Sequence, residues 1–141
     1  MKKVNSQEFD DSIKSIQGPY LLKFGSKSCG PCNTMGPVLE KLSQQNPEFN
    51  ILEVDTDESP ELAALFNIRS IPALHFCKDR EIIYSLNGIT PFRDLQYIID
   101  NIESEYFKEH GEFESTPEKK SYFNAILTCS ILAFIVLLMV I

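Results

Sequence analysis

Charged residues are distributed so unevenly that they divide the chain into a part that can fold in water and a candidate membrane segment. Residues 121–141 contain no Asp, Glu, Lys or Arg, and residues 122–141 form a predominantly apolar run. As a helix, this run would be about 30 Å long, which matches the hydrocarbon core of a bilayer. A buried core helix is the alternative, but the run is long for one and uncharged on every face. The sequence therefore predicts a C-terminal transmembrane helix over 121–141.

The rest of the sequence predicts one folded domain followed by a linker. Residues 104–120 are rich in Glu and Lys, which is typical of a solvated linker, and a frayed helix at its start is the alternative left open. Residues 1–103 are enough for a single hydrophobic core. The N-terminus begins with basic residues but turns polar and acidic where a secretory signal needs an apolar core. We therefore expect the domain to stay on the side of the membrane where it is made, in a reducing compartment.

Composition argues against two classes of protein. The net charge is −7, from 13 basic and 20 acidic residues. A protein that binds nucleic acid usually presents a basic face, so nucleic acid is not expected as a partner. The four cysteines are too few and too irregularly spaced for a disulfide-dense secreted scaffold.

Hydrophobic periodicity within residues 1–103 predicts alternating helices and strands. Four helices are expected: one capped by Asn5 or Ser6, one after the cysteine motif, and two that open at Ser59-Pro60 and Thr90-Pro91. In the third helix Leu62, Leu65 and Phe66 are expected to face inward. The predicted strands cover 20–24, 51–54, 73–77 and 82–86. The first two strands flank a helix and imply a parallel pair, whereas the last two imply a hairpin. The expected α/β architecture is therefore a central mixed β-sheet flanked by helices on both faces.

The motif Cys29-Gly30-Pro31-Cys32 lies between a predicted strand and a predicted helix. Disulfide exchange needs a thiolate nucleophile and a second thiol that can resolve the mixed disulfide. The amide donors and the positive dipole end at a helix N-terminus lower the pKa of a cysteine placed there. Cys29 would occupy that position, and Cys32, one turn later, would be within bonding reach. The pair is therefore a candidate redox-active dithiol.

Two other interpretations of the motif are less consistent with the sequence. A zinc site would need further ligands, but Cys77 and Cys129 do not form a second pair, and His75 and His110 lack zinc-finger spacing. No metal site is therefore predicted. A purely structural disulfide is disfavoured by the expected reducing compartment. Cys77, within a predicted strand, is interpreted as a small apolar core residue.

Taken together, these features resemble the thioredoxin family over roughly residues 4–103. The resemblance rests on residues that occur in the family's order: Cys29-Gly30-Pro31-Cys32, Pro37, Asp57, Pro60, Arg69, Ile71-Pro72 and Gly88. It implies a thioredoxin fold and a protein-disulfide reductase that needs no cofactor beyond the Cys29–Cys32 dithiol. It also implies protein disulfides as substrates and a thioredoxin reductase as electron donor.

The resemblance also implies roles for individual residues. Cys29 would attack the substrate disulfide and Cys32 would resolve the intermediate. Ile71 and Pro72, joined by a cis peptide bond, would offer backbone groups to an extended substrate, and Gly88 would close the substrate groove. The alternative for Pro72 is a simple proline at the start of a strand.

Three positions depart from the family's usual residues. Lys23 stands where a buried Asp is usual, and Gly25 and Ser28 stand in place of tryptophans. An ammonium beneath the second cysteine would lower the pKa of a thiol where a carboxylate would raise it, so Lys23 is a candidate for tuning the dithiol. The alternative is a snorkelling side chain whose head reaches water.

The expected function is therefore that of a protein-disulfide reductase tethered to a membrane by 122–141. Lys119 and Lys120 precede the apolar run, so the positive-inside rule places the folded domain in the cytoplasm, as in a tail-anchored protein. Two alternatives stay open: a membrane-anchored interaction module that recruits a client, and a thiol oxidase or isomerase.

Overall fold

The computed structural model describes residues 1–113. The predicted transmembrane helix over 121–141 and residues 114–120 of the predicted linker lie outside the described residues. Within residues 1–113, no helix is both long and apolar enough to cross a bilayer.

The described residues form a five-stranded mixed sheet. Its strands are β1 (Lys2–Lys3), β2 (Pro19–Gly25), β3 (Asn50–Asp55), β4 (Ala73–Lys78) and β5 (Glu81–Asn87). Their spatial order is β1-β3-β2-β4-β5. β3 lies between β1 and β2 and is parallel to both, whereas β2 pairs antiparallel with β4, and β4 with β5. The predicted combination of a parallel pair and a hairpin is confirmed, and β1 is an edge strand that the sequence did not predict.

Five helices accompany the sheet within the described residues. They are α1 (Phe9–Lys14), α2 (Gly30–Gln45), α3 (Pro60–Leu65), α4 (Phe92–Asn101) and α5 (Glu105–His110). The predicted capping of the first helix by Asn5 or Ser6 is wrong, because α1 begins later and its N-cap, Glu8, makes no side-chain capping bond. Asn5 instead holds the turn before α1, where its Oδ1 accepts hydrogen bonds from the amides of Gln7 and Glu8, both at 3.0 Å. Pro31 lies in the first turn of α2, where a missing amide costs nothing, and Pro37 lies inside that helix.

The core has two layers because side chains of β2 alternate between the two faces of the sheet. Leu22 and Phe24 belong to the layer under α1 and α3. Leu21 belongs to the layer under α2 and α4. Helices therefore cover both faces of the sheet, as predicted. Lys23 follows the same alternation as Leu21, which directs it toward α2.

Two local predictions at α3 are wrong. Leu65 is 73% exposed instead of facing inward, because Leu62 and Phe66 occupy the core side and Phe66 packs between Phe9 and Phe24. Ser59 precedes α3 but makes no side-chain capping bond. Its Oγ instead accepts a hydrogen bond from the Ser6 amide at 3.3 Å, so it ties the N-terminal segment to α3.

Helix α5 lies within the stretch interpreted as a linker. Ser104 caps it by accepting a hydrogen bond from the Phe107 amide at 3.2 Å. Phe107 is buried in the layer under α2 and α4, and Phe113 stacks on it with ring centroids 4.6 Å apart. The packed structure therefore continues to residue 113, ten residues beyond the domain boundary expected at 103.

Candidate active site

The two cysteines of the motif lie at the junction between β2 and α2. Cys29 is the N-cap of α2 with extended backbone angles, φ −86° and ψ 109°, and Cys32 lies in the first turn. They form a disulfide, with Cα atoms 5.2 Å apart. The Cys32 amide also donates a hydrogen bond of 3.2 Å to Cys29 Sγ. An amide at the helix start is thus directed at Cys29 Sγ, the arrangement that stabilises a thiolate there after reduction.

The two sulfurs differ in access to solvent. Cys32 is only 2% exposed, whereas Cys29 is partly exposed and Gly30 and Pro31 are exposed beside it. A large substrate approaching this surface meets Cys29 first. Cys32 is reachable only from Cys29, which is the geometry required of a resolving thiol.

The segment carrying Ile71 and Pro72 passes beside the dithiol. Their peptide bond is cis, as the resemblance implied. The Ile71 carbonyl oxygen lies 3.9 Å from Cys29 Sγ. Gly88, at φ +82°, donates its amide to the Pro72 carbonyl at 2.8 Å. Because a positive φ favours glycine, this turn needs Gly88 to complete the wall next to Pro72. The structure therefore brings Ile71, Pro72 and Gly88 together at the dithiol.

Lys23 does not snorkel. Its side chain is 6% exposed, and its ammonium donates to a carboxylate oxygen of Glu53, whose side chain is 18% exposed. The two residues are register partners on the parallel strands β2 and β3, so they lie side by side on the face toward α2. Sequence analysis missed Glu53. The available signal was that Glu53 is a charged residue between two apolar strand residues, Leu52 and Val54.

Gly25 leaves the space in which Lys23 and Cys32 approach each other. A Cβ at this glycine would lie 3.1 Å from Lys23 Cε, 3.2 Å from Cys32 Sγ and 3.3 Å from Cys32 Cβ. The side chains of Lys23 and Cys32 therefore both reach the space over Gly25. The absence of a side chain at Gly25 leaves room for both.

A polar cavity of about 260 Å³ opens beside this contact. Gly25, Lys23 and Glu53 contribute to its wall. Further charged residues in the wall are Lys3, Glu8, Lys27, Asp55 and Glu58. A cavity of this size and polarity admits water to the Lys23–Glu53 pair.

Cys77 and His75 lie in the sheet core and take no part in this site. Burial raises the pKa of the Cys77 thiol to about 12, so it stays protonated and unreactive at neutral pH. Burial lowers the pKa of His75, whose Nδ1 lies 2.7 Å from Ser85 Oγ. Cys77 therefore has the structural role expected from the sequence.

Comparison with known proteins identifies relatives of the folded domain. A family model described as thioredoxin matches residues 1–101. Thioredoxin of Staphylococcus saprophyticus is 40% identical over 99 residues, which are 70% of this chain and 93% of that protein. Thioredoxin C-3 of Corynebacterium nephridii is 32% identical over 97 residues, 69% of this chain and 67% of that protein.

Solved structures show the same fold. One similar chain comes from a study of thiol resolution in yeast mitochondrial 1-Cys peroxiredoxin via glutathione and thioredoxin systems. It is 31% identical with a TM-score of 0.62 and covers 71% of this chain and 94% of its own length. Chloroplastic thioredoxin z has a TM-score of 0.65 at 22% identity, covering 73% of this chain and 94% of its own, and supports the fold alone.

Proposed function

The chain belongs to the thioredoxin family, and from that premise we propose that it reduces protein disulfides with Cys29 as nucleophile and Cys32 as resolving thiol while tethered to a membrane. That it is a thiol-disulfide oxidoreductase follows from the family and from the paired cysteines. The observation that carries the assignment of roles is the difference in access: Cys29 is partly exposed at the start of α2, and Cys32 is buried behind it.

The reaction is a two-step thiol-disulfide exchange. The Cys29 thiolate attacks one sulfur of the substrate disulfide, forms a mixed disulfide and releases the other sulfur as a thiolate, which takes a proton from solvent. Cys32 then loses its proton and attacks Cys29 Sγ. The Cys29–Cys32 disulfide forms, and the second substrate thiolate leaves and is protonated. The substrate disulfide is reduced, and the dithiol supplies both electrons.

Backbone groups beside the dithiol support binding of an extended substrate segment. Ile71 is partly exposed, and its carbonyl lies next to Cys29. Gly88 and the exposed Ile89 form the adjacent wall. A substrate strand pairing with Ile71 would present its disulfide to Cys29, which is a β-augmentation mode of recognition.

The remaining parts of the proposal concern the electron donor and the location. A thioredoxin reductase is the proposed donor, because thioredoxins are typically reduced by that enzyme. The apolar run 122–141 supports a single-pass anchor, and Lys119 and Lys120 before it support a domain that faces the cytoplasm.

The test of function is reduction of insulin disulfides by the full chain with thioredoxin reductase and its nicotinamide donor. The parent is expected to turn over, Cys29→Ser to be inactive, and Cys32→Ser to accumulate mixed disulfides that a reductant releases. Normal turnover by Cys29→Ser would refute the assignment of the nucleophile. Absence of turnover in the parent would favour an interaction module over an enzyme.

The location is tested separately. The full chain is expected to resist extraction from membranes by high salt and carbonate, and a chain lacking 121–141 is expected in the soluble fraction. Cys29 should react with a membrane-impermeant alkylating reagent only after the cells are permeabilised. Labelling in intact cells would place the domain outside and favour the oxidase or isomerase alternative.

A further inference from the structure

The reaction proposed above leaves unused a buried ion pair directly beside the dithiol. Lys23 and Glu53 hold each other on the face of the sheet that α2 covers, with side-chain exposures of 6% and 18%. Removing two charges from water is costly unless each is compensated by its partner. A matched pair at this position therefore fixes a positive and a negative group beside Cys32.

The positive member of the pair shares the space over Gly25 with the resolving thiol. A Cβ placed on Gly25 would touch Lys23 Cε and Cys32 Sγ at nearly equal distances, 3.1 and 3.2 Å. Glu53 contributes none of the three heavy atoms nearest to that point. Lys23 is therefore the member of the pair that has an atom at this point beside Cys32 Sγ.

We propose that Glu53 is a positioning residue for the resolving step: it holds the Lys23 ammonium beside Cys32, where the ammonium stabilises the attacking thiolate. This inference rests on the proposed role of Cys32. Lysine has a flexible four-carbon stem, and a carboxylate partner both fixes its direction and offsets the loss of hydration. Cys32 gives up its proton to solvent, and the resulting thiolate attacks Cys29 Sγ and displaces the substrate sulfur as a thiolate.

Other charged groups face the same cavity. They are the basic residues Lys3 and Lys27 and the acidic residues Glu8, Asp55 and Glu58. Lys27 and Glu58 pair with each other at 2.6 Å, but both side chains are mostly exposed, so water and salt screen them. The Lys23–Glu53 pair is distinguished from the Lys27–Glu58 pair by its burial and by its place beside Gly25 and Cys32.

The test measures the pKa of the reduced Cys32 thiol, from the carbon NMR shift of its Cβ against pH, in the full chain in detergent. Lys23→Met is expected to raise this pKa by up to about one unit, whereas Lys23→Arg keeps the cation and stays close to the parent. Lys23→Met should also shift the equilibrium with glutathione by up to about tenfold, or ~30 mV toward a more reducing dithiol.

Two substitutions of Glu53 separate positioning from a direct effect of its charge. Glu53→Leu removes the acceptor that holds the ammonium and should raise the Cys32 pKa, as Lys23→Met does. Glu53→Gln keeps an acceptor oxygen and should raise the Cys32 pKa less than Glu53→Leu does. If the carboxylate acted on Cys32 directly, both substitutions would lower the pKa, because a negative charge raises it. That result would overturn the proposal.

Controls distinguish this proposal from protein stability and from the proposed function. Glu58→Gln changes the same cavity wall at an exposed pair and should leave the Cys32 pKa as in the parent. Glu53→Leu in a Lys23→Met background should have no further effect, since Glu53 acts through Lys23. If the substitutions of Lys23 and Glu53 lowered the free energy of unfolding without changing the Cys32 pKa, the pair would have only a structural role. Insulin reduction by the parent, assayed alongside, reports on the proposed function independently.

Discussion

At the scale of single residues, Gly25 determines how closely Lys23 and Cys32 can approach. We expect Gly25→Ala to destabilise the protein by about 1–3 kcal/mol, because its methyl group would meet Lys23 and the first turn of α2 at 3.1–3.3 Å. The flexible Lys23 stem would give way first, so the redox potential should move in the same direction as in Lys23→Met. Chemical denaturation and equilibration with glutathione measure the two effects.

Gly36→Ala is the matched control for this substitution. Gly36 lies inside α2, and a Cβ there meets nothing within 4 Å. Alanine is a better helix former than glycine by up to about 1 kcal/mol, so Gly36→Ala should stabilise the protein. If both substitutions changed stability equally, the close approach at Gly25 would not be the cause.

His75 is expected to make the folded protein less stable as the pH falls. Burial lowers the pKa of His75 from its usual 6.5, so the unfolded chain binds a proton at a pH where the folded protein does not. The free energy of unfolding should therefore decrease as the pH falls through 6.5 toward the folded-state pKa. His75→Phe, which retains an aromatic ring beside Phe24, should flatten this dependence in urea titrations between pH 7 and 5. His110→Gln is the control for loss of a histidine outside the core. If the free energy of unfolding of His75→Phe depended on pH as steeply as that of the parent, His75 would not be the cause of the dependence.

At the scale of elements, α5 stabilises the domain from outside the region matched by the family. Phe107 is 6% exposed and packs against Tyr84 and Phe113. Phe107→Ala should lower the free energy of unfolding by about 3 kcal/mol, because it leaves a cavity in the layer under α4. Tyr106→Ala, on the exposed side of the same helix, should change stability by no more than about 0.5 kcal/mol. Equal effects of the two in urea denaturation would mean that α5 does not dock as described.

The elements predicted from sequence are those with a strong local signal. The runs at 20–24 and 73–77 are apolar and flanked by turn residues, and their register partners reach the same core. By contrast, β1 has two residues and exists because it pairs with Leu52 and Glu53, about fifty positions away. Likewise, Phe107 lies in a segment rich in charged residues. Its composition predicts a solvated linker, so the contact with Tyr84 could not be predicted from it.

The site shows the same division between local and long-range information. Cys29 and Cys32 could be predicted because disulfide chemistry requires them at a fixed spacing before a helix. Lys23 was recognised as unusual within its strand, but its partner could not be predicted. Which residue of β3 lies beside Lys23 depends on the register of two strands joined through α2, and that register is set by packing of the whole sheet.

At the scale of the whole molecule, the dithiol and the segment that leads into α5 lie at opposite ends of the sheet. Cys29 follows the end of β2 at Gly25, whereas Ile102 and Glu103 line a cavity with Gly18 and Pro19 at the start of that strand. A strand of seven residues spans about 20 Å. The chain therefore enters α5 on the side of the sheet away from the site.

This arrangement predicts that the tether can be removed without loss of chemistry. A chain ending at residue 113 keeps Phe107 and Phe113 and should reduce insulin with a kcat/KM within about twofold of the full chain in detergent, well under 1 kcal/mol in the barrier. A chain ending at residue 103 lacks α5 and should unfold at a lower urea concentration, as Phe107→Ala does, while its folded fraction keeps the same kcat/KM. Steady-state kinetics and urea denaturation of the three chains measure both effects. A fall of tenfold or more in kcat/KM on removing 114–141 would mean that this segment contributes to catalysis or substrate binding and is more than a tether.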